Sequence, residues 1–298
     1  MKKKGKKISS DMIFSYTYLA PFLIAFCLFT ILPIAISIFF SFTYFNVLEP
    51  PKWVFLQNYL KLFLSDDIFI IALKNTLIIA VIVGPIGYLM SLLFAWFIND
   101  LGNKLRTIMV LVFYAPSISG GVYAIWAIIF SGDAFGYANS LLLYLNIIDE
   151  PIQWLTDTKY MIWLVIVVML WQSLGAGFLS FVAGLKGIDQ SYYEVGYIEG
   201  IRNRWQELWY VTLPCIRPQM MFGAVMSITA AFGSGAVTTA ICGNPSTDYG
   251  AHTILNHLTD YGTTRFDMGY ACAIATVLFG LMFITNRIIQ KAITKIGN

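Results

Sequence analysis

A chain of 298 residues, 58% hydrophobic and only 12% charged, with a net charge of +3, lacks the charge to wet a soluble surface, since soluble domains carry about 25% charged residues. Together with a mean hydropathy of +0.71, that excludes a soluble domain and points to an integral membrane protein. A hydrocarbon core of about 30 Å takes about 20 apolar residues, and six such runs lie at about 12–42, 71–98, 107–130, 161–184, 219–241 and 268–290. Lipid leaves no water for backbone groups, so runs this apolar on every side predict helices; the alternating segments of a β-barrel are absent. The expected fold is all-α, six transmembrane helices in a single membrane domain over 1–298.

In chain order, Met1 to Lys7 form a lysine-rich tail (about 1–11) before the first run. That run is too long for the 7–15-residue apolar region of a signal peptide and predicts an uncleaved span. Loops of about 43–70, 131–160 and 242–267 carry the turn signals Pro50-Pro51, Gly132-Asp133 and Gly243-Asn244-Pro245. Tyr16, Tyr18, Trp53, Trp96, Trp154 and Trp163 fall near span ends, as in an interfacial belt. On one side lie only Lys52, Lys61, Lys74, Lys159 and Arg265; the other fourteen of the nineteen Lys and Arg share the side of both termini. The positive-inside rule then predicts cytoplasmic termini and a plasma (inner) membrane, multi-pass topology.

Several chemistries lack their residues. No G-x-x-x-x-G-K-[ST] phosphate loop occurs, nor a G-x-S-x-G elbow. His252 and His257 sit five apart in a loop, which is not metal-helix spacing, so a surface or packing role is expected and no metal site. Cys27, Cys215, Cys242 and Cys272 show no metal or disulfide pattern and are expected unpaired. The span cores hold no Asp or Glu, and Lys74 and Arg287 lie near span ends. Carriers that use ion gradients commonly place ionisable groups in their pathway, so the energy is expected from a partner. The alternative, a self-sufficient secondary transporter or channel for a small neutral solute, needs such groups or a filter motif.

The polar segment 185–218 reads LKGIDQSYYEVGYIEGIRNRWQELWYVTLPCIRP. It contains Glu194-Val195-Gly196, Glu199-Gly200-Ile201, Trp205-Gln206, Thr212-Leu213-Pro214 and Pro218. Ala183-Gly184-Leu185 precedes it, and Phe266-Asp267-Met268-Gly269-Tyr270-Ala271 opens the last span. This pattern resembles the EAA loop of binding-protein-dependent ABC importer permeases, in the sugar-permease form. It departs from that form at both alanines, at the acid (Glu199 for Asp) and at Ile201. Gly200 is expected to take positive φ and turn the chain between two short helices. Glu194, at the front of a helix, is expected to accept from a partner's cation. Pro214 and Pro218 are expected to break the segment.

The resemblance implies a type I importer permease fold and a coupling helix over Tyr192 to Ile201. The coupling residues would be Glu194, Gly196, Glu199, Gly200, Trp205, Gln206 and Pro214. It implies no enzymatic activity in this chain, with ATP and Mg bound on separate ATPase subunits. The implied partners are two ATPase chains, a second six-span permease and an extracytoplasmic solute-binding protein that delivers a carbohydrate. For the pathway, uncharged hydrogen-bonding and aromatic residues near mid-span suit a neutral sugar: Tyr114, Trp171, Gln172, Ser173, Phe232 and Ser234, with Ser117, Ser119, Thr238 and Thr239 beside them. Small residues such as Gly175, Gly177, Gly233 and Gly235 equally allow close helix packing.

Overall fold

The computed structural model describes the backbone of residues 10–295 and the side chains of 16–295. Most of the predicted N-terminal tail, with its five lysines, lies outside the described residues. The described chain is mostly helical. The first helical rod is α1 (Ser10–Phe26), a π turn (Cys27–Ile31) and α2 (Leu32–Phe40). A two-residue hairpin, β1 (Thr43–Tyr44) with β2 (Lys52–Trp53), pairs Thr43 with Trp53. There follow α3 (Gln57–Leu64), α4 (Asp67–Asn99), α5 (Asn103–Ile118), α6 (Val122–Ile129), α7 (Tyr137–Tyr144), α8 (Thr158–Gln172) and α9 (Ala176–Lys186). The remainder comprises α10 (Gln190–Ile198), α11 (Arg204–Glu207), a π turn (Leu208–Thr212), α12 (Leu213–Cys215), α13 (Arg217–Phe232), α14 (Gly235–Cys242), α15 (Ile254–Thr259) and α16 (Met268–Ile293).

α4 organises the molecule. Its 33 residues span about 50 Å at 1.5 Å per residue, longer than a bilayer core. The Asp66 side chain accepts from the Phe69 N–H at 2.9 Å and fixes its start. α8, α9 and α13 pack along it, and α16 joins through α13. At the Asn99 end, Leu92, Ala95 and Trp96 meet Phe178, Phe181, Ile216 and Ile293. Nearer the Asp67 end, Ile79 and Val83 meet Met161, Val165, Ala231 and Ala251. A third cluster joins Leu62 and Phe69 to Ile228, Phe232, Ile254 and Tyr270. The loops therefore sort to two ends: 43–66 and 243–267 pack at the Asp67 end, and 187–216 at the Asn99 end.

Among the described residues, four helices are long and apolar enough to cross a bilayer: Tyr16–Phe40, Asp67–Asn99, Thr158–Lys186 and Met268–Ile293. The other two runs differ from the continuous spans predicted. α5 and α6 meet at 83°, and α13 and α14 at 42°. Pro116 lacks an N–H for its turn, and Ser119-Gly120-Gly121 follows it at the first break. Gly233-Ser234 makes the second. The predicted span 161–184 is interrupted at Ser173-Leu174-Gly175. Trp96, placed by sequence in an interfacial belt, is instead 5% exposed and packs in the core.

Candidate functional site

The three breaks converge. Val83 and Gly87, halfway along α4, line a cavity of about 380 Å³ with Ser117 from the end of α5, Gln172, Ser173 and Gly175 from the α8–α9 break, and Ser227, Thr229 and Val237 from α13 and α14. The break is held at close range: a Cβ on Gly87 would lie 2.8 Å from Ser173 Cβ, so only glycine admits this approach. The Ser173 carbonyl, freed from the helix ladder, accepts from the Ser91 hydroxyl at 3.0 Å and the Gly175 N–H at 2.8 Å. Gln172 Oε1 accepts from the Tyr123 hydroxyl at 3.5 Å, and no hydrogen bond among the described residues engages its Nε2. The lining carries hydroxyls and one amide and no charged side chain.

Of the predicted pathway residues, the structure brings Gln172 and Ser173 to this cavity, with Ser117. It does not bring the others. Phe232 is 3% exposed and packs with Leu62 and Ile254. Ser234 is fully buried at the α13–α14 kink. Trp171 is 39% exposed with its ring against Trp126, and Tyr114 lies outside the lining. Polarity alone does not say which face of a helix looks into this cavity. Ser227 and Thr229 also line the cavity; for Ser227 the available signal was the spacing Gly223, Ser227, Ala230, one small-residue face of α13.

At the Asn99 end, segment 187–216 folds as two short helical pieces around a glycine turn. The Asp189 side chain caps α10 by accepting from the Ser191 N–H at 3.0 Å. Gly200 has φ +95°, the left-handed region expected of it. Asn203 then caps α11, accepting from the Gln206 N–H at 2.8 Å, while Gln206 Oε1 accepts from the Arg202 N–H at 3.1 Å. Gly196 is not a turn residue. It is buried inside α10, and Ile201 and Val211 would stand 3.1 Å from any Cβ there. Glu194 sits mid-helix, exposed and without a partner among the described residues, rather than at the helix front; Glu199 is the C-cap. Pro214 does not end the helix as expected. The π turn before it lets Leu213 N–H reach back to Leu208 O, and the break falls at Ile216, with Pro218 in the first turn of α13. Tyr192, Val195, Tyr197 and Ile198 leave an exposed apolar face on α10.

The Asp67 end is built differently. Asn75 Nδ2 lies 3.2, 3.2 and 3.0 Å from the carbonyls of Tyr249, Gly250 and His252. The Thr76 hydroxyl accepts from Ile254 N–H at 3.0 Å. Asp66 Oδ2 accepts from the Tyr270 hydroxyl at 2.7 Å and meets His257 Nε2 at 3.0 Å. Burial alone would raise the Asp66 carboxyl, but these two bonds, together with the Phe69 N–H, outweigh it and hold it well below the usual carboxylate range. His252 and His257 pack rather than face solvent, at 3% and 1% exposed. Burial, with His257 beside it, lowers the His252 pKa to about 4.

The model of the family "Binding-protein-dependent transport system inner membrane component" matches residues 85–295. The chain is 32% identical over 295 residues to the probable ABC transporter permease protein YesP of Bacillus subtilis, covering 97% of this chain and 93% of that one. It is 28% identical to the arabinooligosaccharides transport system permease protein AraP of the same species, covering 93% and 87%. A bacterial alginate ABC transporter, solved in complex with an alginate pentasaccharide-bound periplasmic protein, contains a chain that superposes with a TM-score of 0.75 at 23% identity, covering 96% and 95%.

Proposed function

Because this chain belongs to the binding-protein-dependent transport system inner membrane components, the permeases of ABC importers, we propose that it forms half of the pathway for a carbohydrate handed over by an external solute-binding protein. In this reading the single domain, 1–298, crosses the membrane six times, each bent pair counting as one span. Both termini and the 185–218 loop are cytoplasmic. A second six-span permease completes the pathway, and two ATPase chains, binding ATP and Mg, dock on the exposed face of α10. The chain itself catalyses nothing. The fourteen-to-five distribution of Lys and Arg supports the orientation.

The observation that carries the solute class is the mid-helix cavity, whose hydroxyls and amide meet no fixed charge. Such a lining binds hydroxyl-rich solutes without burying an unpaired ion. The arabinooligosaccharide cargo of AraP supports the same class, and the alginate importer supports a saccharide, there an acidic one. The test is ATP-driven uptake by the reconstituted four-chain complex with its binding protein, across labelled neutral and acidic oligosaccharides, amino acids and metal ions. Saccharide uptake that falls about tenfold in Gln172→Leu, with ATP hydrolysis retained, is expected. Uptake of amino acids or metal ions without saccharides refutes the solute class.

A further inference from the structure

The 185–218 loop touches the rest of the chain at a place its own helices do not explain. The Arg204 guanidinium donates to Asp100 Oδ2 and lies 5.1 Å from the centre of the Trp96 ring. The Trp205 ring packs 5.2 Å from the same indole. Asp100 is the C-cap of α4, and the turn it belongs to is bonded to α5. Arg106, in the first turn of α5, donates from Nη2 to the carbonyls of Asn99 and Leu101 at 2.6 and 2.9 Å, closing the end of α4 onto the start of α5. A cavity of about 420 Å³ borders these groups, lined by Asp100, Arg106 and Arg204 among others. Beyond this clamp the loop reaches the bundle again through Leu208, buried in the core that Leu92 and Trp96 enter.

We infer that Arg204 is a positioning residue that passes movement of the coupling loop to α5. The route follows from connectivity. Displacing α11 pulls on Asp100; Asp100 belongs to the turn that Arg106 locks to α5; and α5 ends at the 83° break, where Ser117 lines the mid-helix cavity. A planar guanidinium serves because it holds a carboxylate at its edge and an aromatic ring at its face at once, which an ammonium does not. A clamp so exposed, about half for each partner's side chain, adds little to folding. Its loss is therefore expected to show in uptake per ATP rather than in unfolding.

The inference rests on the reading of 185–218 as the ATPase-coupling element, and the test separates the two. Uptake and ATP hydrolysis are measured in the same proteoliposomes for wild type, Arg204→Glu, Arg204→Lys, and the exchange Asp100→Arg with Arg204→Asp. Wild-type complex without ATP-driven uptake overturns the coupling reading and this inference with it. With wild type active, the expected result is near-normal hydrolysis in Arg204→Glu and at least a threefold drop in uptake per ATP. Arg204→Lys should be intermediate, and the exchange should recover part of the ratio. An unchanged ratio overturns the inference alone. So does a proportional fall of hydrolysis and uptake, which marks lost assembly. As a second readout, Ser117→Cys in a background without the four native cysteines should change thiol reactivity on ATP binding, and should stop changing when Arg204→Glu is added. Persistence of that change also overturns it.

Discussion

The two ends of α4 are fastened to the chain by opposite means. At the Asp67 end, Asn75, Thr76 and Asp66 reach partners 174 to 204 residues away through buried hydrogen bonds. At the Asn99 end the long-range polar tie is an ion pair about half open to water, backed by an aromatic face. Buried polar contacts act in low dielectric and are costly to leave unmade. Exposed ion pairs trade partners with water at little cost. One helix thus has one end tied through buried polar bonds and another whose distant ion pair stays open to water, although both ends pack in apolar cores.

The largest way to break this contrast is Asn75→Leu. The substitution leaves the carbonyls of Tyr249, Gly250 and His252 without the Asn75 donor, at about 1–3 kcal/mol for a buried orphan group. A loss of roughly 3 kcal/mol is expected, read as a fall in thermal unfolding temperature in nanodiscs, with segment 246–257 exchanging amide hydrogens faster. A loss no larger than that of Asp100→Ala would erase the difference between the ends.

Acid should sharpen it. His252, whose ring faces those of Tyr249 and His257, with Asp66 and Asp260 the nearest acids, titrates near pH 4 when folded. Its ordinary value is about 6.5, so the unfolded chain takes up the proton first. The stability tied to neutral His252 is fully present above about pH 6.5 and is lost as pH falls toward 4. The Asp66 carboxyl, held low, contributes above the ordinary carboxylate range and loses its contribution only below it. Between pH 7 and 4.5 the Asp67 end should therefore loosen with a slope of at most about 1.4 kcal/mol per pH unit, one proton's worth, and His252→Gln should flatten that slope. Hydrogen exchange of residues 246–257 against pH checks it; equal loosening at 99–106 would count against a local cause.

The membrane class, the helical fold and the glycine turn of the loop were legible because each is written in local composition. Gly200 is the clearest case: a positive φ between short helices needs only one residue to be read. The breaks were present as Ser119-Gly120-Gly121 and Gly233-Ser234, but hydropathy runs through them unbroken, and small residues serve close packing equally well. The Asp67 end was illegible. Nothing in the spacing of Asn75 or Asp66 names partners nearly two hundred residues on, and His252 and His257 in a polar loop gave no sign of burial. Arg204 was invisible for the same reason, since its meaning depends on Asp100 across the fold.

At the Asn99 end, Gly200→Ala tests how much of the loop's shape is backbone. No atom lies within 4 Å of the Cβ this change adds, while φ is +95°, so the cost is conformational alone, about 1–2 kcal/mol. Membrane insertion should be unchanged and uptake reduced. Gly196→Ala meets Ile201 and Val211 instead and should impair the loop through packing. A wild-type uptake rate in both would remove 185–218 from the coupling role.

The smallest expected effect is the most discriminating. Arg204 and Asp100 are 48% and 50% exposed in their side chains, and exposed pairs contribute about 0.2–1 kcal/mol. A double-mutant cycle of Arg204→Ala and Asp100→Ala, read on unfolding, should give a coupling energy inside that range, shrinking further between low and high salt as the charges are screened. Trp96 complicates the single substitutions, because truncating Arg204 also removes a cation from its ring, worth about 0.5–1 kcal/mol at an exposed site. The cycle cancels this, since the Trp96 contact is lost in Arg204→Ala whether or not Asp100 is present. A coupling energy of roughly 3 kcal/mol, the size of a buried pair, would make the Asn99 end an anchor like the other. The structure would then hold α4 by strong polar ties at both ends, and the contrast between the two would be gone.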